Sequence, residues 1–383
     1  MSGPPAYMDH QAATPLDPEV RAAMADATSR AWASTTGVHP AATAAAELLE
    51  ACRADVATLV GAADPGELVF TGGVAEARNL AVAGTLAANA HLGAGVVMSA
   101  VEHPTVRESA PCARMVGVDA TGCIDPAELA AAVDADTALV SIHLAQHEVG
   151  AVQAVQRLVA AVRAVNAHTR IHVDAVDAVG VLPVSVTRLG ADLMSFGGPA
   201  MGAPAWCGAL WMRPGTGLHA RVPGGAQELG KRAGAEDLPA IAGMAAAARA
   251  ATADGPRRAA RRTETTRRLA AGVLGVAGVH LNGPPVDARL PGNLHVRVDG
   301  VVGESLAVML GIRGLAVSPG SACEADAGKA SPTLLAMGVP EARAHTGVRF
   351  SVDHRTTPAE VEHAIRVFAG AVADLRDMSP VGR

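Results

Sequence analysis

Residues 138–174 read ALVSIHLAQHEVGAVQAVQRLVAAVRAVNAHTRIHVD, and this stretch decides the fold. Two apolar runs in it, at 138–143 and 171–174, have the length of buried strands. The alanine-rich segment 151–167 between them is long enough for a helix. A strand, a helix and a second strand in this order predict a βαβ unit with parallel strands.

The same alternation extends from this unit in both directions. Apolar runs predict further strands at 68–70, 95–99, 193–196 and 208–212, and residues 40–60 predict a helix. After a helix predicted at 256–274, shorter strands follow at 293–298, 316–318 and 347–352, with a last helix at 358–375. This pattern predicts an α/β protein with a large domain at 15–255, built on a mainly parallel sheet, and a smaller α/β domain formed by 1–14 and 256–383.

Bulk composition narrows the classes of function. The net charge is −6 at pH 7 and no long basic run occurs, which disfavours a nucleic-acid partner. No charge-free apolar run of about 20 residues predicts a membrane span, and no signal pattern begins the chain, so a cytoplasmic location is expected. The five cysteines form no CxxC pair, so we expect reduced thiols and no structural metal site.

Seven motifs, in order along the chain, carry a resemblance to a known family. They lie at 7–18, 70–76, 102–103, 148–150, 172–175, 320–323 and 348–351. Together they resemble class V aminotransferases of the fold type I pyridoxal-phosphate transferases, and cysteine desulfurases in particular. The resemblance implies a homodimer with its pocket at the dimer interface, a small-molecule substrate and a sulfur-acceptor protein as a possible partner.

The resemblance also implies roles for individual residues. In the family's pattern His103 stacks on the cofactor ring and Asp174 pairs with the ring nitrogen. Cys323, in Gly320-Ser321-Ala322-Cys323, corresponds to the cysteine that carries sulfur as a persulfide, and Arg349 to the arginine that holds the substrate carboxylate. A thiol and a guanidinium suit these two tasks chemically.

Several positions depart from the family's pattern. The lysine that binds pyridoxal phosphate covalently falls at Ala200, and the histidine before it at Pro199. Three positions that supply hydroxyl groups to the phosphate fall at Ala75, Gly197 and Ala235. A methyl group cannot form the covalent bond that the cofactor needs. We therefore expect the site to use no cofactor; the chain's two lysines, Lys231 and Lys329, are weak substitutes.

Histidines offer another chemistry near the predicted carboxyl ends of the strands. His147 stands where the family has asparagine, and with His103 and Asp174 it could act as acid and base near neutral pH. A metal site that also uses His143 and His172 is a weaker alternative, because side chains along a strand point alternately to opposite faces.

These observations leave three hypotheses open, and with them the question of whether the protein is an enzyme. The first is a repurposed enzyme that acts without the cofactor on a small carboxylate- or sulfur-containing substrate, through Cys323, His103, His147 and Asp174. The second is a non-catalytic homologue that serves as a dimer partner or scaffold in sulfur transfer. The third is an active cysteine desulfurase, which makes alanine and an enzyme persulfide from cysteine.

Overall fold

A computed structural model describes residues 6–320 and 330–378 of the chain. The strands, in chain order, are β1 (Ala6–Tyr7), β2 (Leu68–Thr71), β3 (Gly95–Ser99), β4 (Arg114–Val116), β5 (Thr137–His143), β6 (Arg170–Asp174), β7 (Leu193–Gly197), β8 (Gly208–Met212), β9 (Val279–Leu281), β10 (Asn293–Val298), β11 (Leu315–Ala316), β12 (Ser318–Pro319) and β13 (Gly347–Ser351). Seven of them form one sheet in the order β2-β8-β7-β6-β5-β3-β4. All of its strands run parallel except β8, which is antiparallel to both β7 and β2.

Helices cover this sheet and a second, smaller one. They are α1 (Pro18–Arg30), α2 (Pro40–Val60), α3 (Val74–Asn79), α4 (Thr85–Ala88), α5 (Pro104–Arg107), α6 (Pro126–Ala132), α7 (Val155–Val165), α8 (Val186–Leu189), α9 (Leu238–Val273), α10 (Gly303–Ile312), α11 (Pro332–Ala336), α12 (Glu341–Ala344) and α13 (Pro358–Met378). The second sheet is antiparallel, in the order β12-β13-β10-β9, and β1 pairs with β11 beside it.

Two apolar clusters form the main cores. The larger lies between the seven-stranded sheet and the helices α1, α2, α7 and α9, and the smaller lies between the four-stranded sheet, α10 and α13. The predicted α/β class with a mainly parallel sheet is confirmed, and the strands predicted in this sheet match the observed ones to within one residue at each end. The division into domains at 15–255 and 256–383 stays a prediction.

The predicted helix start at Pro256 is wrong. Pro256 lies inside α9, which runs unbroken for 36 residues from Leu238 to Val273. Proline removes one backbone donor from a helix, so the carbonyl of Thr252 loses its partner. Thr252 and Pro256 are both exposed, and water can satisfy that carbonyl.

Two other predicted elements differ from the structure. The helix predicted from residue 151 begins at Val155, because Ala151 and Val152 instead form β-bridges to Arg289 and Ala145. The strand predicted at 316–318 is two strands, since β11 pairs with β1 and β12 pairs with β13. In the described part of the chain, none of the helices has the length and apolar character needed to cross a membrane.

Candidate functional site

The candidate site lies at the carboxyl edge of the parallel sheet. Asp174 is the last residue of β6, Gly197 is the last residue of β7, and His147 lies in the loop after β5. The carboxyl ends of parallel strands meet at one edge, and ligands of such sheets bind in the crevice outside it. The fold therefore brings the predicted residues Asp174, His103 and His147 into one crevice.

An arginine from α3 pairs with the carboxylate at the centre of this crevice. The Nε and Nη2 atoms of Arg78 donate to Oδ2 of Asp174 at 2.9 and 2.8 Å. The other oxygen, Oδ1, accepts from the backbone N–H of Val176 at 3.2 Å and from the Ser195 hydroxyl at 3.5 Å. Arg78 and Asp174 are 3% and 4% exposed, so the pair is shielded from water.

The charge of Arg78 keeps Asp174 ionised. Burial is the largest single influence and raises the pKa of this carboxyl, but the charge and hydrogen bond of Arg78, together with His172 and His103, bring the pKa below its ordinary value. Sequence reasoning missed Arg78. Its signal was an arginine in the short helix that follows a buried strand after two glycines.

His103 and His147 face each other in the crevice. Their ring centroids are 5.1 Å apart in an edge-to-face arrangement. Burial, with the charge of Arg78 acting in the same direction, lowers the pKa of His103 to about 4. Burial also places the pKa of His147 well below its ordinary value. Both rings are therefore neutral near pH 7. A neutral imidazole can neither act as a cationic acid nor bind an anion through a positive charge.

The tautomer of His103 follows from its position at the start of α5. Its Nδ1 atom accepts the backbone N–H of Thr105 at 3.1 Å. In a neutral ring the proton then resides on Nε2. His103 consequently offers a donor, not a base, on that side of the ring.

Arg349 reaches the same crevice from β13. Its Nη1 donates to the carbonyl of His147 at 2.8 Å, and its Nη2 donates to Oδ1 of Asp9 at 3.0 Å. Its Nε is buried and has no partner among the described residues. The predicted carboxylate-binding arginine therefore lies at the site, but one of its three guanidinium nitrogens is already paired with Asp9, a residue that sequence reasoning missed.

Ala200 lies on one wall of a small cavity beside the crevice. It belongs to a 3-10 turn at Pro199–Met201, and its carbonyl accepts Nη2 of Arg262 at 3.3 Å. Gln11 and Asp177 line the same cavity, and Nε2 of Gln11 donates to Oδ1 of Asp177 at 2.8 Å. Burial raises the pKa of Asp177.

The positions expected to have lost phosphate donors are all filled by small residues. Ala75 lies in the first turn of α3, and Ala235 is held through its carbonyl by Nη1 of Arg232 at 3.1 Å. Gly197 has no room for a side chain, because a Cβ atom there would overlap Cγ1 of Val74. A side chain at position 197 would therefore require a smaller residue at position 74.

The two strand histidines have structural partners. Nδ1 of His143 contacts Glu102 at 3.0 Å, and its Nε2 contacts Gln153 at 3.0 Å. His172 lies between the hydroxyls of Ser141 and Ser195, each 2.9 Å from a ring nitrogen. Among the residues that the structure describes, no group of three or more His, Cys, Asp or Glu side chains is arranged to hold a metal ion.

Cys323 and Lys329 fall in 321–329, outside the described residues. The segment begins after Gly320, whose backbone lies against two buried side chains. A Cβ atom on residue 320 would overlap Nε2 of His295 and would lie 2.9 Å from Oε1 of Glu148. Glycine at position 320 is thus required by the close approach of the backbone.

Comparison with known proteins gives a consistent picture. The profile of the aminotransferase class-V family matches residues 6–363. The chain is 33% identical to a cysteine desulfurase IscS of Methanosarcina thermophila, over 98% of this chain and 94% of that protein. It is 37% identical to a cysteine desulfurase IscS of Anaeromyxobacter sp. strain Fw109-5, over 98% of this chain and 95% of that protein.

A solved structure of a NifS-like protein has the same fold. It superposes with a TM-score of 0.90 at 27% identity and covers 97% of this chain and 100% of the other. The prediction that the site uses no cofactor is contradicted by these relatives. Cysteine desulfurases are pyridoxal-phosphate enzymes, so the comparisons indicate pyridoxal phosphate.

The residues of the crevice do not fit covalent attachment of that cofactor. Residue 200 has no amine, and Lys231, the one lysine among the described residues, donates to the carbonyl of Leu218 at 2.9 Å. The resemblance predicts that Asp174 and His103 contact the ring, but Asp174 is paired with Arg78. Within the described residues, the crevice therefore offers no amine for attachment of the family's cofactor.

Proposed function

The chain belongs to the cysteine desulfurase family, within the class-V aminotransferases, and on that premise we propose that it acts in sulfur metabolism by holding pyridoxal phosphate without covalent attachment and without splitting cysteine on its own. The observation that carries this proposal is Ala200, because a methyl group can neither attach the cofactor nor move a proton. When bound, pyridoxal phosphate supplies an electron sink for bonds to the α-carbon of an amino acid.

The other residues of the crevice do not replace the missing amine. His103 is neutral and carries its proton on Nε2, since Nδ1 accepts the N–H of Thr105. The pKa of His147 is held well below its ordinary value by burial, so this ring is a weak base. Proton transfer at the α-carbon therefore has no well-matched base in the described crevice.

The crevice retains an arginine, Arg349, that can bind a small carboxylate. The Nε atom of Arg349 is buried and has no partner among the described residues. The hydrogen bond from Nη2 of Arg349 to Asp9 can be replaced by one to a ligand. Guanidinium groups bind carboxylates through two parallel hydrogen bonds. We propose cysteine or a similar amino acid as the small molecule held here.

The proposal includes a role beside other proteins. Cysteine desulfurases function as dimers and pass sulfur to acceptor proteins. A homodimer in the cytoplasm, acting as partner or scaffold for sulfur transfer, is consistent with a family fold that lacks an attached cofactor. Cys323 would then serve as a persulfide carrier: its thiolate would take the outer sulfur of a persulfide on another protein and release that protein's thiolate.

An assay of the purified full-length protein with pyridoxal phosphate and L-cysteine tests this function. We expect the cofactor to stabilise the protein against heat, to be removed by dialysis, and to resist fixation by borohydride, while no alanine is released. Alanine release in the absence of another desulfurase, or cofactor fixed to the chain, would contradict the proposal.

A second candidate is an active cysteine desulfurase. The identity of 33–37% to cysteine desulfurases along nearly the whole chain favours it. This reaction needs another amine, and mass spectrometry of the borohydride-treated protein would locate it at Lys231 or Lys329. Attachment at either lysine together with alanine release would establish this candidate.

A further inference from the structure

The Arg78–Asp174 ion pair occupies the carboxylate that the resemblance places against a ring nitrogen. Oδ2 accepts two donors from Arg78, at 2.8 and 2.9 Å, and Oδ1 accepts from Val176 and Ser195. Each oxygen of Asp174 thus has donors from the protein itself. A pyridinium N–H that approached Asp174 would have to displace one of them.

We infer that Arg78 determines which form of the ring this pocket binds. The pocket accepts a neutral ring and discriminates against a protonated pyridinium. This inference deepens the proposed function and rests on it for the class of ligand.

Two physical effects point in the same direction. First, a guanidinium and a pyridinium that share one buried carboxylate repel each other, and the repulsion is stronger in a dry crevice than in water. Second, displacing Arg78 would leave a cation that is 3% exposed without its partner, and unpaired buried charges are costly. A neutral ring avoids both penalties.

The charge of Arg78 is felt throughout the crevice. It contributes to the lowered pKa of His103, His147 and His172, although burial is the larger cause for each. It also opposes the effect of burial on the pKa of Asp177. A cation whose charge acts on several neighbouring groups will act in the same way on a ring placed beside Asp174.

The test compares pyridoxal phosphate with its deaza analogue, in which a C–H replaces the ring nitrogen. Equilibrium dialysis of the full-length protein measures both affinities in wild type, Arg78→Gln and Arg78→Lys. Wild type and Arg78→Lys should bind the deaza analogue at least as tightly as pyridoxal phosphate. In Arg78→Gln the free carboxylate of Asp174 should favour pyridoxal phosphate by about tenfold.

Melting curves of both variants verify that they are folded, and Arg163→Gln serves as a matched control. Arg163 pairs with Asp192 at 2.5 Å before the amino end of β7, away from the crevice. A wild-type protein that already prefers pyridoxal phosphate by about tenfold would overturn the inference, as would an Arg78→Gln variant with unchanged selectivity.

Failure of the proposed function gives a different result. If wild type binds neither ligand, the proposed function is wrong. The role of Arg78 then depends on whether the Arg78→Gln variant binds pyridoxal phosphate. Gain of pyridoxal phosphate binding by this variant supports the inference. Absence of binding by Arg78→Gln overturns it.

Discussion

Arg349 and Asp9 join the two ends of the chain at the crevice: Nη2 of the arginine lies 3.0 Å from Oδ1 of the aspartate. Asp9 follows β1, and Arg349 lies in β13. Burial raises the pKa of Asp9, while the charge of Arg349 opposes this rise. Asp9 thus competes with any carboxylate ligand for the same guanidinium.

Substitution Asp9→Asn should therefore tighten the binding of small carboxylates. The amide keeps the shape of the side chain but removes the charge, so Arg349 becomes available to a ligand. We expect L-cysteine to bind about three- to tenfold more tightly, as measured by calorimetric titration. Asp299→Asn, which alters a carboxylate paired with the half-exposed His280, is the matched control. Unchanged or weaker binding by Asp9→Asn would show that Arg349 does not hold the ligand.

A second ion pair controls stability rather than binding. Nη1 and Nη2 of Arg53 donate to the two carboxylate oxygens of Glu228, each at 2.8 Å, and Glu228 also accepts the N–H of Phe70 at 2.6 Å. Arg53→Ala should lower the free energy of unfolding by roughly 3–5 kcal/mol, because it leaves a buried carboxylate unpaired. Urea denaturation measures this change. The exposed pair of Arg257 and Asp254 provides the control, since Arg257→Ala should leave the midpoint unchanged.

Stability should decrease as the pH falls from about 6.5 to about 4. Burial lowers the pKa of His172 to about 4 from an ordinary 6.5, and that of His103 also to about 4. In this interval the unfolded chain takes up protons that the native state refuses, so acid favours unfolding. His172→Gln should flatten this decline in the free energy of unfolding, measured by denaturation at several pH values. The same substitution at the exposed His168 is the control, and an unchanged slope in His172→Gln would contradict the assignment.

Much of the fold could be predicted because its signals are local and repeated. Short apolar runs separated by alanine-rich segments allow few structures other than parallel strands with crossover helices. Pro256 led to a wrong predicted helix start, because proline usually begins helices. Here the packing of α9 against α1 and α2 maintains the helix through Pro256. Tertiary contacts outweigh a local signal in that case.

The candidate site was less predictable. The position of Asp174 followed from its place after an apolar run, and the crevice followed from the sheet. Arg78 could not be assigned to Asp174, because the two residues are 96 positions apart and only the pairing of strands brings them together. The link between Gly197 and Val74 was hidden for the same reason, since it depends on packing between β7 and α3.

That packing makes a further prediction about stability. A Cβ atom on residue 197 would overlap Cγ1 of Val74 and lie 3.1 Å from the carbonyl of Cys207. Gly197→Ser alone should therefore lower the melting temperature, because a packed core has little room for extra atoms. Val74→Ala together with Gly197→Ser should recover much of the loss, so the two changes should be strongly non-additive. Additive effects in the two single variants and the double variant would argue that Val74 is not the obstacle.

Restoring the lysine alone should not restore the family's reaction. In Ala200→Lys the new ammonium group enters a cavity lined by Arg262, whose Nη2 lies 3.3 Å from the carbonyl of residue 200. Burial in this cavity would lower the pKa of the new amine, and Asp177, which lines the same cavity, would hold its charged form away from the crevice. Asp174 would still be paired with Arg78, and the phosphate would still lack hydroxyl donors at positions 75 and 197. We expect no alanine release from L-cysteine by this variant in the presence of pyridoxal phosphate. The combined variant Ala200→Lys with Arg78→Gln separates the causes. Alanine release by the single lysine variant would show that neither Arg78 nor the missing hydroxyls limit the reaction. Release by the combined variant alone would identify Arg78 as the main barrier.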